Sequence, residues 1–133
     1  MKEVSMSVNM GFYEDDEGIS VDLVLSVFGH FLVQCVNLES DSVDEKMKKD
    51  IDFLIKKQKD FFEKIATETQ AYSKRIYGTD AKDLILLKVY LSPEEDNEFG
   101  FMFSTDLDEE HGIGIKFKGL AVKKIGSGET AFL

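Results

Sequence analysis

The chain is short of the residues that build covalent frameworks or interdomain linkers. Among its 133 residues are one cysteine, one proline and no tryptophan. The lone Cys35 excludes an intramolecular disulfide, so nothing points to an oxidising compartment. With Pro93 as the only proline and no Gly/Ser/Pro-rich stretch, no linker can be identified. We therefore expect one domain over residues 1–133, long enough to bury about two thirds of its unfolded surface.

An apolar signal-peptide core is also absent from the first residues of the sequence. This absence predicts a cytoplasmic protein.

Basic residues are in deficit too. Twenty-six Asp and Glu against sixteen Lys and Arg leave a net charge of -10, which disfavours nucleic acid and anionic membranes as partners. The surplus acids gather in short segments that read as turns. These acids are Glu14, Asp15, Asp16, Glu17, Glu39, Asp41, Glu94, Glu95, Asp96, Glu98, Asp106, Asp108, Glu109 and Glu110.

Residues 19–38 allow two readings. Polar residues recur every four positions from Asp22 to Gln34, as on a buried or membrane helix, but five valines and the Gly29-His30 pair favour a β-hairpin. A membrane helix would also place Asp22 near the bilayer centre, at a cost of a few kcal/mol, about 3. We therefore predict a hairpin with Phe28 opposite Phe31 and Leu23 opposite Val36.

The N-terminal segment alternates apolar and polar residues and predicts a further strand. Its apolar positions are Val4, Met6, Val8, Met10 and Phe12. With Tyr13 opposite Gly18, this strand and the hairpin share one apolar face. The other face of the sheet also becomes apolar near Val24, Phe28, Phe31, Val33 and Cys35. We expect the C-terminal strands or a second copy of the chain, in a homodimer, to cover that second face.

Residues 42–77 supply the cover for the first face. Ser42 followed by Glu45 is a capping-box pattern, and apolar residues at spacings of three, four or seven run as far as Ile76. This predicts one long amphipathic helix, or two that break near the middle, ending by Gly78.

Strands are predicted at 86–91, 99–103, 112–118 and 120–125. The fold class is thus α+β, an antiparallel sheet of about seven strands in the order βββ-α-ββββ packed on that helix. The apolar residues Ala131, Phe132 and Leu133 are predicted to be packed rather than frayed.

Candidate chemical groups are few. Asp106, Asp108 and His111 could ligate a divalent cation, but their spacing is not that of a calcium loop, and a self-bonded acidic turn explains them better. Cys35 among valines is predicted to be a buried apolar residue. We expect no metal, no cofactor and no catalytic residue.

Two C-terminal motifs carry a family resemblance. They are Asp-x-Asp-Glu-x-His-Gly-Ile-Gly-Ile from Asp106 and Ile-Gly-Ser-Gly-x-x-Ala-Phe from Ile125. They resemble the ending of an uncharacterised bacterial family of small acidic α+β proteins, some of which are immunity-protein-like members of toxin loci. The resemblance implies a fold and no catalytic residue.

Two functions follow as hypotheses. The first is a protein-binding module, such as an immunity-like inhibitor, that meets a basic partner through Glu14, Asp15, Asp16, Glu17, Glu39 and Asp41. The alternative is a small enzyme or ligand-binding protein with a pocket between sheet and helix, using His111 and neighbouring carboxylates.

Overall fold

The computed structural model describes residues 11–133, which form a seven-stranded sheet and two α-helices. The strands lie side by side in chain order. They are β1 (Tyr13–Asp15), β2 (Gly18–Leu23), β3 (Val33–Leu38), β4 (Ile85–Leu91), β5 (Glu98–Ser104), β6 (Ile113–Lys118) and β7 (Ala121–Gly126). The helices are α1 (Glu45–Lys56) and α2 (Gln58–Tyr77), and a 3₁₀ helix (Gly128–Ala131) follows β7.

The α+β class is confirmed, but the sheet is mixed rather than purely antiparallel. Neighbouring strands are antiparallel except β3 and β4, where Cys35 lies opposite Val89 in a parallel pair. The two helices separate these strands in the chain. Because the helices return the chain along the sheet, β4 starts at the same end as β3.

The helical segment is divided into two. At Lys57 the backbone leaves the helical region, with φ -105° and ψ 13°, so α1 and α2 meet there. The N-cap is Asp44 rather than Ser42, since an Asp44 Oδ1 accepts a hydrogen bond from the Met47 amide at 2.8 Å. Gly78 ends α2 in the left-handed region, as predicted. No helix in residues 11–133 is long and apolar enough to cross a membrane.

The strand reading of residues 19–38 is confirmed, but the tight hairpin at Gly29-His30 is wrong. Leu23 lies opposite Val33, three positions from its predicted partner Val36, and a loop over residues 24–32 joins the strands. Phe28 turns out of the strand path and packs its ring against other aromatic rings of the core. Core burial of this ring outweighs the local turn signal. The observed register of β2 with β3 differs from the predicted one by three positions. Because three is an odd number, Val36 lies on the other face of the sheet than predicted.

The first turn is tighter than predicted. Tyr13 lies opposite Ser20 rather than Gly18, so the turn holds only Asp16 and Glu17. Because the register of β1 with β2 differs from the predicted one by two positions, an even number, the residues of β1 and β2 share faces as predicted. The predicted pairings of Val4, Met6, Val8 and Met10 lie outside the described residues.

One face of the sheet and the two helices enclose the main core. It is built from Phe61 of α2 against three sheet phenylalanines at ring-centroid distances of 5.0–5.3 Å, namely Phe99, Phe101 and Phe117. Val33 and Cys35 are also buried on this face, at 1% and 0% exposure. The prediction that Val33, Cys35 and Phe28 belong to an apolar second face of the sheet is therefore wrong. Val33 and Cys35 lie beneath the helices, Phe28 enters the core, and only Val24 and Phe31 are exposed. A homodimer through Val24, Phe28, Phe31 and Val33 stays a prediction. Val33 is buried and cannot contribute to such an interface.

The C-terminal tail, residues 127–133, covers part of the second face instead. Its 3₁₀ helix lies so close to β5 and β6 that a Cβ on Gly100 would come within 1.6 Å of the Ala131 carbonyl oxygen. Ala131 is buried with Val36 and Tyr90, and the Phe132 ring lies 5.3 Å from the Tyr90 ring. Packing is thus confirmed for Ala131 and in part for Phe132. Leu133, at 71% exposure, is not packed.

Deleting residues 131–133 should lower the melting temperature by about 5–10 °C. The reason is the loss of roughly 2 kcal/mol of apolar burial, mainly from Ala131 and Phe132. Calorimetry of the two chains measures the shift. If they melt within a degree of one another, the tail does not contribute to stability.

Gly100→Ala should be destabilising only while Ala131 is present. In the full chain the new methyl group overlaps the Ala131 backbone, and we expect a drop of about 5 °C or more. In a chain ending at Thr130 the overlap is gone, so the same substitution should change the melting temperature by less than about 2 °C. Equal effects in both backgrounds would show that the tail does not lie on Gly100.

Candidate functional site

Strand direction brings three acidic loops to one end of the sheet. β3 and β4 are parallel and therefore end at the same side, and β2, antiparallel to β3, begins there. The turn at residues 16–17, the β3–α1 loop at residues 39–44 and the β4–β5 loop at residues 92–97 consequently share this end. We call these three loops, with β1, the acidic end.

Backbone hydrogen bonds hold the first two loops together. The Glu39 amide donates to the Glu17 carbonyl at 2.9 Å, and the Ile19 amide donates to the Ser40 carbonyl at 2.8 Å. A shallow depression of about 390 Å³ lies between them. Its lining includes all six acids predicted to bind a partner, Glu14, Asp15, Asp16, Glu17, Glu39 and Asp41. Their role in binding stays a prediction.

Two of the six acids are engaged within the fold. Asp15 Oδ2 accepts a hydrogen bond from Gln34 Nε2 at 2.5 Å, which lowers the pKa of the Asp15 carboxyl. Glu17 accepts from Lys88 Nζ at 2.7 Å and from the Tyr90 hydroxyl at 3.1 Å.

The remaining four acids are exposed, and their side chains make no hydrogen bond or ion pair within residues 11–133. They are Glu14, Asp16, Glu39 and Asp41.

Sequence reasoning missed the strand residues that fix Glu17. Burial, followed by the charge of Glu17, raises the pKa of Tyr90, so its hydroxyl stays a hydrogen-bond donor. Alternation along β4 places Lys88 and Tyr90 on one face, opposite the buried Val89 and Leu91. That pattern was visible in the sequence. The proximity to Glu17 depends on the parallel β3–β4 pair, which the sequence did not determine.

Glu39 holds a backbone conformation that side chains other than glycine rarely adopt. Its φ is 59°, in the left-handed region, which costs about 1 kcal/mol for such a residue. The two backbone hydrogen bonds around it maintain this conformation. Glu39 lines both the shallow depression and a second, more enclosed recess.

This second feature, the tail recess, lies between the β4–β5 loop and the C-terminal tail and has a volume of about 260 Å³. Its apolar lining consists of Leu38, Tyr90, Leu91, Pro93, Ala131, Phe132 and Leu133. Its charged lining consists of Glu39, Glu94, Glu95, Glu98 and Lys116. The sequence left open whether the loop with Glu94 joins the other acidic turns, and the parallel β3–β4 pair places it there.

Ion pairs already neutralise part of the tail recess. Glu95 pairs with Lys118 at 3.2 Å, and Glu98 pairs with Lys123 at 2.7 Å. Lys116 Nζ donates to the Leu133 carbonyl.

The candidate metal ligands lie at the opposite end of the sheet. Asp108 caps its own turn, as predicted, whereas Asp106 binds backbone amides of the segment between α2 and β4. Asp106 Oδ1 accepts from the amides of Lys82 and Asp83, both at 3.4 Å. His111 donates its amide to Asp108 Oδ1 at 3.1 Å, which holds the pKa of the Asp108 carboxyl below its usual value. Within residues 11–133, no three His, Cys, Asp or Glu side chains are arranged to hold a metal ion.

Within residues 11–133, two pockets lie between α2 and the sheet, and neither contains His111. The larger, of about 550 Å³, lies against β7 and has Asp60, Glu63 and Glu68 in its lining. The other pocket has a volume of about 210 Å³, with Phe28, Phe62 and Phe103 in its lining. His111 and its neighbouring carboxylates, the groups that the alternative hypothesis needs, line neither pocket. Cys35 is fully buried, and burial raises the pKa of its thiol to about 12, so it is not a reactive thiolate.

Glu98 should make stability pH-dependent in a defined direction. The hydrogen bond from Lys123 lowers the pKa of Glu98 in the fold below the unfolded value of about 4.3. Its stabilisation is therefore present above that value and is lost as the pH falls through the folded pKa. In urea titrations, the difference in unfolding free energy between the parent and Glu98→Gln should be larger at pH 6.5 than at pH 3. An equal difference at both pH values would contradict this.

Comparison of the chain with protein-family models, with curated proteins and with solved structures found no match. The resemblance of the C-terminal motifs to an immunity-protein-like bacterial family therefore stays a prediction.

Proposed function

We propose that this chain is a protein-binding module whose acidic end docks on a basic surface of a protein partner. The observation that supports it is the meeting, at one end of the sheet, of carboxylates from separate loops that make no ion pair within residues 11–133. Exposed like charges repel one another, and a complementary cationic surface relieves that repulsion on binding.

The anchoring of the loops also supports this function. Backbone hydrogen bonds tie Glu39 to Glu17, and the Glu17 side chain is tied to Lys88 and Tyr90 of the sheet. Loops held in this way lose little conformational freedom on binding, and a preorganised surface binds more tightly than a mobile one.

The immunity-like part of the proposal depends on the C-terminal motifs. The first motif forms a turn that Asp108 caps, and the second forms the tail that packs on Gly100. Both motifs thus have structural roles. They supply no catalytic group, in keeping with a cytoplasmic bacterial inhibitor that acts by occupying a surface of its target.

Neutralising four acids tests this function: Glu14→Gln, Asp16→Asn, Glu39→Gln and Asp41→Asn. A partner is first captured at about 50 mM salt on the immobilised chain, from a lysate of the organism that carries the gene. The variant should bind this partner at least tenfold more slowly in a surface biosensor, because charge steering is lost. Raising salt to about 500 mM, where the screening length is roughly 4 Å, should slow the parent similarly.

A matched control removes four exposed acids elsewhere: Glu63→Gln, Asp83→Asn, Glu109→Gln and Glu110→Gln. It changes the net charge by the same amount and should retain most of the parent's on-rate. Equal slowing by both variants would show that total charge matters rather than the acidic end. Unchanged binding by the first variant, or no retained protein, would contradict the proposal and leave the acids a role in solubility.

A further inference from the structure

The tail recess combines three properties. It is more enclosed than the shallow depression, with a volume of about 260 Å³, it has aromatic and apolar walls, and it has carboxylates in its lining. The Tyr90 ring is almost wholly buried, whereas the Phe132 ring, 5.3 Å away, is 36% exposed. Gly100, which has no side chain, also lines it. The recess thus has a partly exposed aromatic residue, Phe132, in its lining, which a flat group can contact.

The charges that face the recess are unequal in availability. Glu95 and Glu98 are paired with lysines outside the lining, and the one lysine of the lining, Lys116, donates to the Leu133 carbonyl. Glu39 and Glu94 are exposed and make no side-chain hydrogen bond or ion pair with the described residues. A cation that enters would therefore find two carboxylates that no side chain of residues 11–133 engages.

We propose that the tail recess receives an arginine side chain of the basic partner. This inference rests on the proposed function and names the contact that the recess supplies to it. A guanidinium group is planar, can lie against an aromatic ring and can form two parallel hydrogen bonds to one carboxylate. The Phe132 ring and the Glu94 carboxylate offer these two partners within one recess.

Lysine fits the recess less well. An ammonium group is a compact and strongly hydrated charge, so it loses more hydration on entering an apolar recess than guanidinium does. A buried arginine of this kind, in a pocket with a charged rim, is typical of the residues that dominate interface affinity.

The probe for this site is N-acetyl-arginine methylamide, titrated into the isotope-labelled full chain and followed by NMR. Saturable shifts are expected at the backbone amides of Gly100 and Phe132. N-acetyl-citrulline methylamide has nearly the same shape without the charge and should bind at least tenfold more weakly. The lysine analogue should bind at least threefold more weakly. Glu94→Gln and Phe132→Leu should each raise the dissociation constant at least threefold, with Glu63→Gln, at an exposed position on α2 outside the recess lining, as control.

Each outcome decides the proposal. Shifts that do not saturate, or citrulline binding equal to arginine, would overturn it, as would a lysine analogue that binds as tightly. Thermal melts of Phe132→Leu check that the fold persists, and Glu94→Gln gives the same test at an exposed position. If arginine saturates the recess but neutralising the four loop acids leaves partner binding unchanged, the proposed function fails while the recess remains a guanidinium site. If only the recess titration fails, the acidic end binds without it.

Discussion

The parallel pairing of β3 with β4 is the constraint on which the rest of the structure depends. The two strands are joined through both helices, so the chain crosses the sheet once before β4 begins. This crossing places the ends of β3 and β4 at the same side. Had β4 paired in the opposite direction, the loop with Glu94 would lie at the far end, and the β5–β6 loop with Asp108 would lie beside Glu39 instead. The acidic end is thus a consequence of topology as well as of composition.

The helices are held in this position by aromatic packing. Phe61 contacts phenylalanines on β5 and β6, and Phe53 of α1 stacks on Phe99 at 5.8 Å. Packing these rings together removes their apolar surface from water, and burial of apolar surface is the largest favourable contribution to folding. The same packing brings Phe28 out of the expected hairpin, because a ring at that point of the chain can reach Phe101 and Phe103.

Much of the fold was predictable because its signals are local. Alternation in residues 99–103 specified β5, and Gly78 specified the end of α2. The register of β2 with β3 was not predictable, since it depends on where Phe28 packs rather than on the Gly29-His30 pair. The proximity of Glu14 to Asp41 followed from a simple meander, whereas the Glu17–Lys88 contact needed the parallel pair. The tail recess could not be predicted, because its walls come from segments remote in sequence.

The two parts of the proposed surface differ in how they depend on the tail. The loops around Glu39 are fixed by hydrogen bonds to the turn at Glu17 and need nothing from residues 127–133. The recess has Phe132 as one wall, and that wall exists only while the tail lies across Gly100 and Gly114. If the chain binds as proposed, a protease cut after β7 would separate charge steering from anchoring, because the shortened chain would keep the acidic loops and lose the Phe132 wall.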